Sequence, residues 1–305
     1  MDDRQPKQFW RPDGGDDVVT DPEGQRSHDP LTGHRDKVDF TGVRWGSVEW
    51  TNVCLLYLRA CESRLPQPIL GDHFAAQDVA RIDYDFKRIH RVVRPAINQY
   101  MVALRSAQFD ALITEYLEGR QAAVVLHLGC GLHSRAFRIA APAGVQWFDV
   151  DLPNVIALRR QLYSESDTYR MIGSSVTDPG WINELPAGGP VLIVAEGILM
   201  YLTPAEVTEL LHRLIDRFDS GELLADFLSE WGPRLSKIFT SGLIKWGTRD
   251  GREITRWNAR LRLIQDSPII AGFDRISSTP QRLLYRMQYG IPAIRNYDRI
   301  FRFTF

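Results

Sequence analysis

Cysteine is scarce in this chain of 305 residues, and its three copies, Cys54, Cys61 and Cys130, form no Cys-x-x-Cys pair. Such a set supplies neither an even disulfide framework nor a thiolate metal site. The His, Asp and Glu residues show no metal-ligand spacing either, so we predict no bound metal. We expect three reduced thiols in a cytoplasmic protein, with Cys54 and Cys61 packed on one helix.

Long apolar runs and an excess of charge are missing as well. No apolar stretch reaches the ~18 residues that a membrane-spanning helix needs, and the first residues are not those of a secretory signal. The 37 basic side chains balance 38 acidic ones, which argues against a nucleic-acid surface. We therefore expect a small-molecule partner, with no nucleic acid and no membrane, and leave a homodimer open.

The remaining composition, with 44% hydrophobic residues, suffices for one large α/β domain. Residues 1–40 are rich in Asp, Gly, Pro, Arg and His and are predicted to be a mobile N-terminal arm. Residues 41–305 are predicted to form the domain. Within it, the Trp- and Arg-rich stretch 229–290 is expected to be a helical cap over the ligand crevice.

Strand and helix patterns alternate through the middle of the chain. Two helices are predicted first, over 49–64 and 97–118. Five strands follow, over 123–128, 145–150, 169–173, 190–195 and 222–228. Three further helices are predicted between these strands, over 134–141, 154–165 and 204–217. Such alternation predicts a doubly wound parallel sheet with its ligand at the carboxyl ends of the strands. A helix around Glu253–Ile264 and a terminal antiparallel strand over 297–305 complete the prediction.

The most informative segment is Val124-Val-Leu-His-Leu-Gly-Cys-Gly131, followed by Phe148-Asp-Val-Asp151. Gly129 and Gly131 let the backbone approach a ligand closely. About 20 residues later, Asp149 and Asp151 end the next strand, where a carboxylate can bind a ribose diol. Together they indicate a nucleoside cofactor.

The third position of a dinucleotide fingerprint is filled by Ser134 instead of Gly or Ala. A pyrophosphate needs close helix packing, whereas S-adenosylmethionine has no phosphate and needs a Gly turn, a ribose carboxylate and a cation for its own carboxylate. The residues therefore favour the methyl donor over NAD, with a purely structural glycine turn as the remaining alternative.

From about residue 45 to the C-terminus the chain resembles the leucine carboxyl methyltransferase family, especially its bacterial branch of polyketide carboxyl methyltransferases. Five ordered blocks carry the resemblance, namely Leu56-Tyr-Leu-Arg59 with Pro68-Ile-Leu-Gly-Asp72, Arg105-Ser-Ala-Gln-Phe-Asp110, Leu128-Gly-Cys-Gly-Leu-His-Ser-Arg135, Phe148-Asp-Val-Asp-Leu-Pro153 and Ala195-Glu-Gly-Ile-Leu-Met-Tyr-Leu-Thr-Pro204. The resemblance implies a class I, Rossmann-like methyltransferase fold and S-adenosyl-L-methionine as cofactor.

The resemblance also implies roles for individual residues. Arg105 would bind the carboxylate of the cofactor's methionine part, and Glu196 its amino group, unless Glu196 pairs with a core arginine and Arg105 is a surface residue. Asp151, rather than Asp149, would bind the ribose. The other implied cofactor residues are Gly129 and Gly131 under the methionine part and Ser175 and Val176 at the adenine, where Asp178 is an alternative.

The side of the crevice that faces the acceptor is less well marked. His133 and Tyr201 are the candidate catalytic residues, although a buried histidine or a helix-spaced aromatic is often structural. The candidate substrate contacts, which packing in a cap would equally explain, are Arg59, Tyr201, Trp246, Arg256 and Trp257.

Chemistry favours a carboxylate acceptor. A carboxyl group with a pKa near ~4 is already ionised at neutral pH, whereas a phenol with a pKa near ~10 needs a base. We predict an O-methyltransferase of secondary metabolism that converts a polyketide-like or aromatic acid to its methyl ester. The alternatives are a phenolic or hydroxyl O-methyltransferase with His133 as base, and a nucleoside-binding protein without methyl transfer, such as a sensor or an NAD-dependent reductase.

Overall fold

The computed structural model describes residues 37–239 and 243–305. Nine strands lie in these two ranges: β1 (Val38–Asp39), β2 (Ile82–Asp83), β3 (Ala122–Leu128), β4 (Gly144–Asp151), β5 (Tyr169–Gly173), β6 (Pro190–Ala195), β7 (Ser220–Leu228), β8 (Arg262–Pro268) and β9 (Asp298–Thr304). All five strands predicted for the parallel sheet are present, and those over 169–173 and 190–195 have the predicted bounds.

Seven strands form one sheet in the order β5-β4-β3-β6-β7-β9-β8. The five neighbouring strands β5, β4, β3, β6 and β7 pair in parallel. Strand β9 runs antiparallel to β7, and β8 runs antiparallel to β9. The chain winds from β3 to β5 on one side and then crosses to β6 on the other. The sequence order therefore reverses between β3 and β6, which is where doubly wound sheets bind ligands.

Ten α-helices accompany the strands in the described chain: α1 (Val48–Glu62), α2 (His73–Arg81), α3 (Phe86–Val93), α4 (Pro95–Leu117), α5 (Arg135–Arg138), α6 (Pro153–Arg159), α7 (Pro204–Arg217), α8 (Gly232–Phe239), α9 (Thr279–Gly290) and α10 (Pro292–Arg295). One face of the sheet packs on apolar side chains of α7, and the opposite face packs on α4 and α9. The two faces of each central strand are thus buried, as its near-continuous apolar sequence requires.

A third apolar cluster joins α1, α2 and α3 beside the ligand edge of the sheet. The pair β1 and β2 belongs to it, since the buried Ile82 lies in β2 and the buried Phe40 directly follows β1. Residues 37–40, which were included in the predicted mobile arm, are therefore part of the fold. Residues 1–36 of that arm lie outside the described residues.

Three predicted helices differ from the structure. The helix expected around Glu253–Ile264 is wrong, because this stretch holds a short 3-10 helix, Gly251–Arg256, followed by the start of β8. Hydrogen bonding to β9 overrides the local helical pattern, so residues 262–268 of the expected cap are the edge of the sheet. The helices predicted over 134–141 and 154–165 are the shorter α5 and α6.

In the described chain, no helix has both the length and the apolar composition needed to cross a bilayer.

Helix α7 has the predicted bounds and begins with a capping box. The Thr203 hydroxyl accepts a hydrogen bond from the Glu206 amide at 3.2 Å, and the Glu206 carboxylate accepts one from the Thr203 amide at 2.7 Å. The cap satisfies two helix amides that otherwise lack partners.

We expect Thr203→Ala to lower the free energy of unfolding by about 1 kcal/mol, because the first turn of α7 loses this cap. Urea titration measures the change. Thr208→Ala is the matched control, since the Thr208 hydroxyl donates only to the Pro204 carbonyl within the same helix. Alanine favours the helix there, so the control keeps or slightly gains stability. An equal loss in both variants would contradict the role of the cap.

Candidate active site

The glycine turn after β3 lies at the reversal point of the sheet. Gly129 and Gly131 have φ angles of +61° and +51°, in the left-handed region that favours glycine. A Cβ on Gly129 would lie 2.6 Å from Cδ1 of Ile198, and a Cβ on Gly131 would lie 2.6 Å from Oδ1 of Asn52. The backbone conformation therefore favours glycine at both positions, and the Ile198 side chain leaves little room for a Cβ at Gly129, whereas at Gly131 the Asn52 carboxamide would have to shift.

Asp151 ends β4 directly beside this turn. Its Oδ2 accepts a hydrogen bond from the Gly131 amide and its Oδ1 one from the Leu152 amide, both at 2.7 Å. Burial raises the pKa of the Asp151 carboxyl, and the two amides oppose that shift. Each carboxylate oxygen keeps a further lone pair, so Asp151 can still accept hydrogen bonds from a ribose diol.

Asp149 lies behind the turn in a fully buried cluster. Its carboxylate contacts the Arg159 guanidinium, accepts a hydrogen bond from the Tyr169 hydroxyl at 2.7 Å and lies 3.1 Å from Nδ1 of His127. Burial alone would raise the pKa of Asp149, but the Arg159 charge and the contacts with His127 and Tyr169 together outweigh it and hold that pKa far below its usual value. These contacts make Asp149 and His127 structural residues.

Arg159 links this cluster to the glycine turn. Its Nη1 donates to the Gly131 carbonyl at 3.1 Å and to the His133 carbonyl at 2.6 Å. A buried arginine thus holds both ends of the turn against β4.

Arg105 and Glu196, the two residues expected at the methionine end of the cofactor, contact each other. Nε of Arg105 donates to Oε1 of Glu196 at 3.0 Å, and its Nη1 donates to Asp226 at 3.3 Å. The Asp226 carboxylate also accepts from the Gly197 amide at 2.6 Å. Nη2 of Arg105 contacts no acceptor among the described residues, which leaves one edge of the guanidinium for a ligand carboxylate.

Glu196 is already paired by the chain itself. Besides Arg105, its carboxylate contacts the Arg135 guanidinium and accepts from the Ser106 hydroxyl at 2.9 Å. Burial alone would raise its pKa, yet the charges of Arg135 and Arg105, together with the neighbouring His133 side chain, hold the pKa of Glu196 well below its usual value. This geometry matches the core-arginine alternative, so an ammonium group would have to share the carboxylate with these donors.

His133 is 9% exposed and lies between Glu196 and His127. Its Nε2 is 3.7 Å from Oε1 of Glu196, while its Nδ1 has no hydrogen-bonding partner among residues 37–239 and 243–305. Burial and the charges of Arg59 and Arg135 lower the pKa of His133 well below its usual value. The imidazole is therefore neutral at physiological pH.

The predicted acceptor contacts are dispersed. Arg59 is wholly buried. Its guanidinium donates to Asp72 at 3.1 Å and to the Leu132 carbonyl at 2.8 Å, so it supports the chain directly after the glycine turn. Tyr201 ends the 3-10 helix Leu199–Tyr201, is 43% exposed and lies within electrostatic range of Arg105. Of these candidates, Tyr201 is the one that is exposed, and its amide bonds to the carbonyl of Ile198, whose side chain lies against Gly129.

Three candidates remain, of which the two tryptophans, Trp246 and Trp257, belong to the apolar cluster that packs on α7. The Trp246 indole is buried, donates to the Leu199 carbonyl at 3.0 Å and packs 5.1 Å from the rings of Phe227 and Trp257. Arg256 is exposed at the end of its 3-10 helix. The structure therefore gives Trp246 and Trp257 a packing role and does not bring Arg256 to the glycine turn.

The residues expected at the adenine follow β5. The Ser175 hydroxyl is 2.8 Å from that of Thr177, and Val176 is buried in the core. The exposed Asp178 accepts a hydrogen bond from the Gly180 amide at 2.8 Å. Each polar group thus has a local partner, and the choice between Ser175 and Asp178 stays open.

Several residues of the site escaped the sequence analysis. Ser106 and Arg135 stand inside blocks that were recognised, but nothing local indicates that both reach Glu196. Asp226 offered a signal, because a carboxylate in the apolar stretch of β7 needs a buried partner. Asn52, on α1, offered none.

We expect Asp149→Asn to destabilise the fold by about 3–5 kcal/mol, since it leaves the buried Arg159 charge uncompensated. Because the pKa of Asp149 is lower folded than unfolded, its contribution is present above about pH 4 and is lost as the pH falls further. Urea titration at pH 7 measures the loss. Glu209→Gln, in an exposed pair with Arg213, is the control and should change little. Equal effects in the two variants would contradict the role of Asp149.

Comparison with known proteins gives a consistent result. A family model described as leucine carboxyl methyltransferase matches residues 53–215. The tetracenomycin polyketide synthesis O-methyltransferase TcmP of Streptomyces glaucescens is 36% identical over 273 residues, which are 86% of this chain and 98% of that protein. The S-adenosyl-L-methionine-dependent methyltransferase dpfgK of Gibberella zeae is 35% identical over 61% of this chain and 65% of its own.

Among solved structures, a candidate methyltransferase from Thermobifida fusca has the same fold. It is 16% identical in sequence, and the structural alignment has a TM-score of 0.54 and covers 81% of this chain and 93% of the other. The predicted fold class and cofactor are thereby confirmed. With the family model spanning more than half of its length, this S-adenosyl-L-methionine-dependent methyltransferase belongs to the leucine carboxyl methyltransferase family.

Proposed function

We propose that the protein transfers the methyl group of S-adenosyl-L-methionine to a carboxylate oxygen of a small polyketide-like or aromatic acid, forming a methyl ester. The observation that carries this proposal is the electrostatic setting of His133. A general base works best when its pKa is near the operating pH, and the pKa of His133 is held well below that range. A carboxylate acceptor needs no base.

The residues at the glycine turn fit the cofactor. Gly129 and Gly131 give a turn without side chains, Asp151 keeps acceptor capacity for the ribose, and Nη2 of Arg105 is available for a carboxylate. When bound, S-adenosyl-L-methionine supplies an electrophilic methyl group on a sulfonium. Ser175 or Asp178 would be the polar partner of the adenine.

The chain's own residues then have three tasks. Arg105 is held by Glu196 and Asp226, so its free edge is oriented before any ligand arrives. Tyr201 stands at the open side, where it can contact the acceptor. Joining a sulfonium and a carboxylate removes two opposite charges, so exclusion of water from the crevice favours the transition state.

The acceptor class rests on chemistry and on kinship. TcmP, the relative from Streptomyces glaucescens, is described as acting in polyketide synthesis, and its similarity extends over nearly its whole length. This supports a polyketide-like acceptor and a biosynthetic role.

A hydroxyl acceptor has one observation in its favour. Asp298, at the start of β9, has a buried Oδ1 without a hydrogen-bonding partner in the described chain. Burial and the neighbouring Asp226 raise the pKa of this carboxyl well above its usual value. A carboxylate with a raised pKa can act as a general base, so Asp298 would be the candidate to deprotonate a phenol.

We expect cofactor binding to separate the roles of Arg105 and Asp151. Arg105→Gln should weaken S-adenosylhomocysteine roughly 10- to 100-fold, because it removes charged hydrogen bonds, and leave 5′-methylthioadenosine, which lacks the amino-acid part, nearly unaffected. Asp151→Asn should weaken both ligands. Isothermal titration calorimetry measures the dissociation constants. If Arg105→Gln weakens both ligands equally, Arg105 only supports the fold.

We expect an ester as the product. Incubation with isotopically labelled methyl donor and a panel of aromatic and polyketide acids should yield a product that loses its label in mild alkali, as measured by mass spectrometry. Because neither a carboxylate acceptor nor the neutral His133 titrates between about pH 6 and 9, kcat/KM should stay flat there. His133→Asn and Asp298→Asn should both keep activity. An alkali-stable product, with activity lost in Asp298→Asn, would establish the hydroxyl alternative.

A further inference from the structure

Helix α1 crosses the cofactor edge of the sheet. Oδ1 of its Asn52 lies 2.6 Å from the position that a Cβ on Gly131 would take. One turn earlier, Glu49 accepts a hydrogen bond from the Asn154 side chain in the first turn of α6. Helix α6 begins two residues after Asp151. These two contacts therefore place α1 over both the glycine turn and the end of β4.

The Asn52 amide is free to bind a ligand. It makes no hydrogen bond within residues 37–239 and 243–305, and the residue is partly exposed. The glycine turn is not its partner, since the Gly131 amide donates to Asp151 at 2.7 Å and the Gly131 carbonyl accepts from Arg159 at 3.1 Å. An asparagine carboxamide thus faces the glycine whose amide Asp151 binds.

The chemistry of a ribose fits this pair. Each ribose hydroxyl donates one hydrogen bond and can accept others, whereas an ionised carboxylate only accepts. Asp151 can accept hydrogen bonds from both hydroxyls of the diol. It cannot donate one, so the lone pairs of the ribose oxygens still lack a donor. The carboxamide of Asn52 has both an NH₂ donor and an oxygen acceptor, so it can supply what Asp151 lacks.

We propose that Asn52 is a cofactor-binding residue, which hydrogen-bonds a ribose hydroxyl of S-adenosyl-L-methionine from α1 while Asp151 binds the diol from β4. The carboxamide and the carboxylate enclose the ribose from two elements that are distant in sequence and meet at Gly131. The proposal concerns the cofactor alone, so it holds for either class of methyl acceptor.

The test pairs a change in the protein with a change in the ligand. Isothermal titration calorimetry compares wild type, Asn52→Ala and Asn52→Leu with 5′-methylthioadenosine and with its 2′-deoxy and 3′-deoxy analogues. We expect both variants to bind 5′-methylthioadenosine about 5- to 10-fold more weakly, which is the effect of one neutral hydrogen bond. For the analogue that lacks the bonded hydroxyl, the variants and the wild type should bind alike.

Thr51→Ala is the matched control on the same helix turn. The Thr51 hydroxyl donates only to the Ser47 carbonyl, at 3.2 Å, so its loss should leave all three dissociation constants unchanged. Asn52→Ala decides the result if the leucine side chain obstructs the crevice.

Two outcomes would overturn the proposal. If the Asn52 variants bind all three nucleosides as tightly as the wild type, Asn52 does not contact the ribose. If they lose the same factor for all three, Asn52 only shapes the crevice. Titration of Asp151→Asn in parallel separates this inference from the assignment of Asp151. If Asp151→Asn binds normally while the Asn52 variants show the hydroxyl-dependent loss, Asp151 does not bind the ribose and Asn52 does.

Discussion

The buried interaction between Arg159 and Asp149 is the constraint on which the rest of the site depends. The glycine turn after β3 has two left-handed residues, and the amides of Gly129 and Gly131 bond to β4, but its carbonyls need further support. Arg159 supplies that support by binding the carbonyls of Gly131 and His133, and Asp149 compensates its charge inside the protein. A fixed turn keeps its position without a ligand, which reduces the entropy lost on binding.

A second buried network extends from the turn to β7. Glu196 joins Arg105 and Arg135, and Arg105 also contacts Asp226, so two arginines and two carboxylates share one interior region. Such pairs contribute less to stability than their number suggests, because each charge loses its hydration. Their effect here is on orientation: Glu196 and Asp226 hold two sides of the Arg105 guanidinium, while its Nη2 contacts no acceptor among the described residues.

The sequence allowed the sheet and the glycine turn to be predicted because both depend on local patterns. The apolar run of β6, the cap of α7 and the Gly129-Cys-Gly131 turn are each readable within ten residues. The partners of Glu196 were not predictable, since Ser106 and Arg135 reach it from 90 and 61 residues away. Asn52 meets Gly131 only through the packing of α1, and β8 is a strand only because β9 lies beside it. Tertiary contacts decided these cases.

The position of β9 has a consequence for how the molecule is assembled. This strand is the last in sequence among those described, yet it lies in the interior of the sheet, between β7 and β8. Strand β8 pairs with the sheet through β9 alone, so that edge cannot close until the final strand has been synthesised. During translation β7 therefore presents an unpaired edge, as long as the segment that follows it is still being made. Completion of the sheet therefore waits for β9, which follows all the other described strands in sequence.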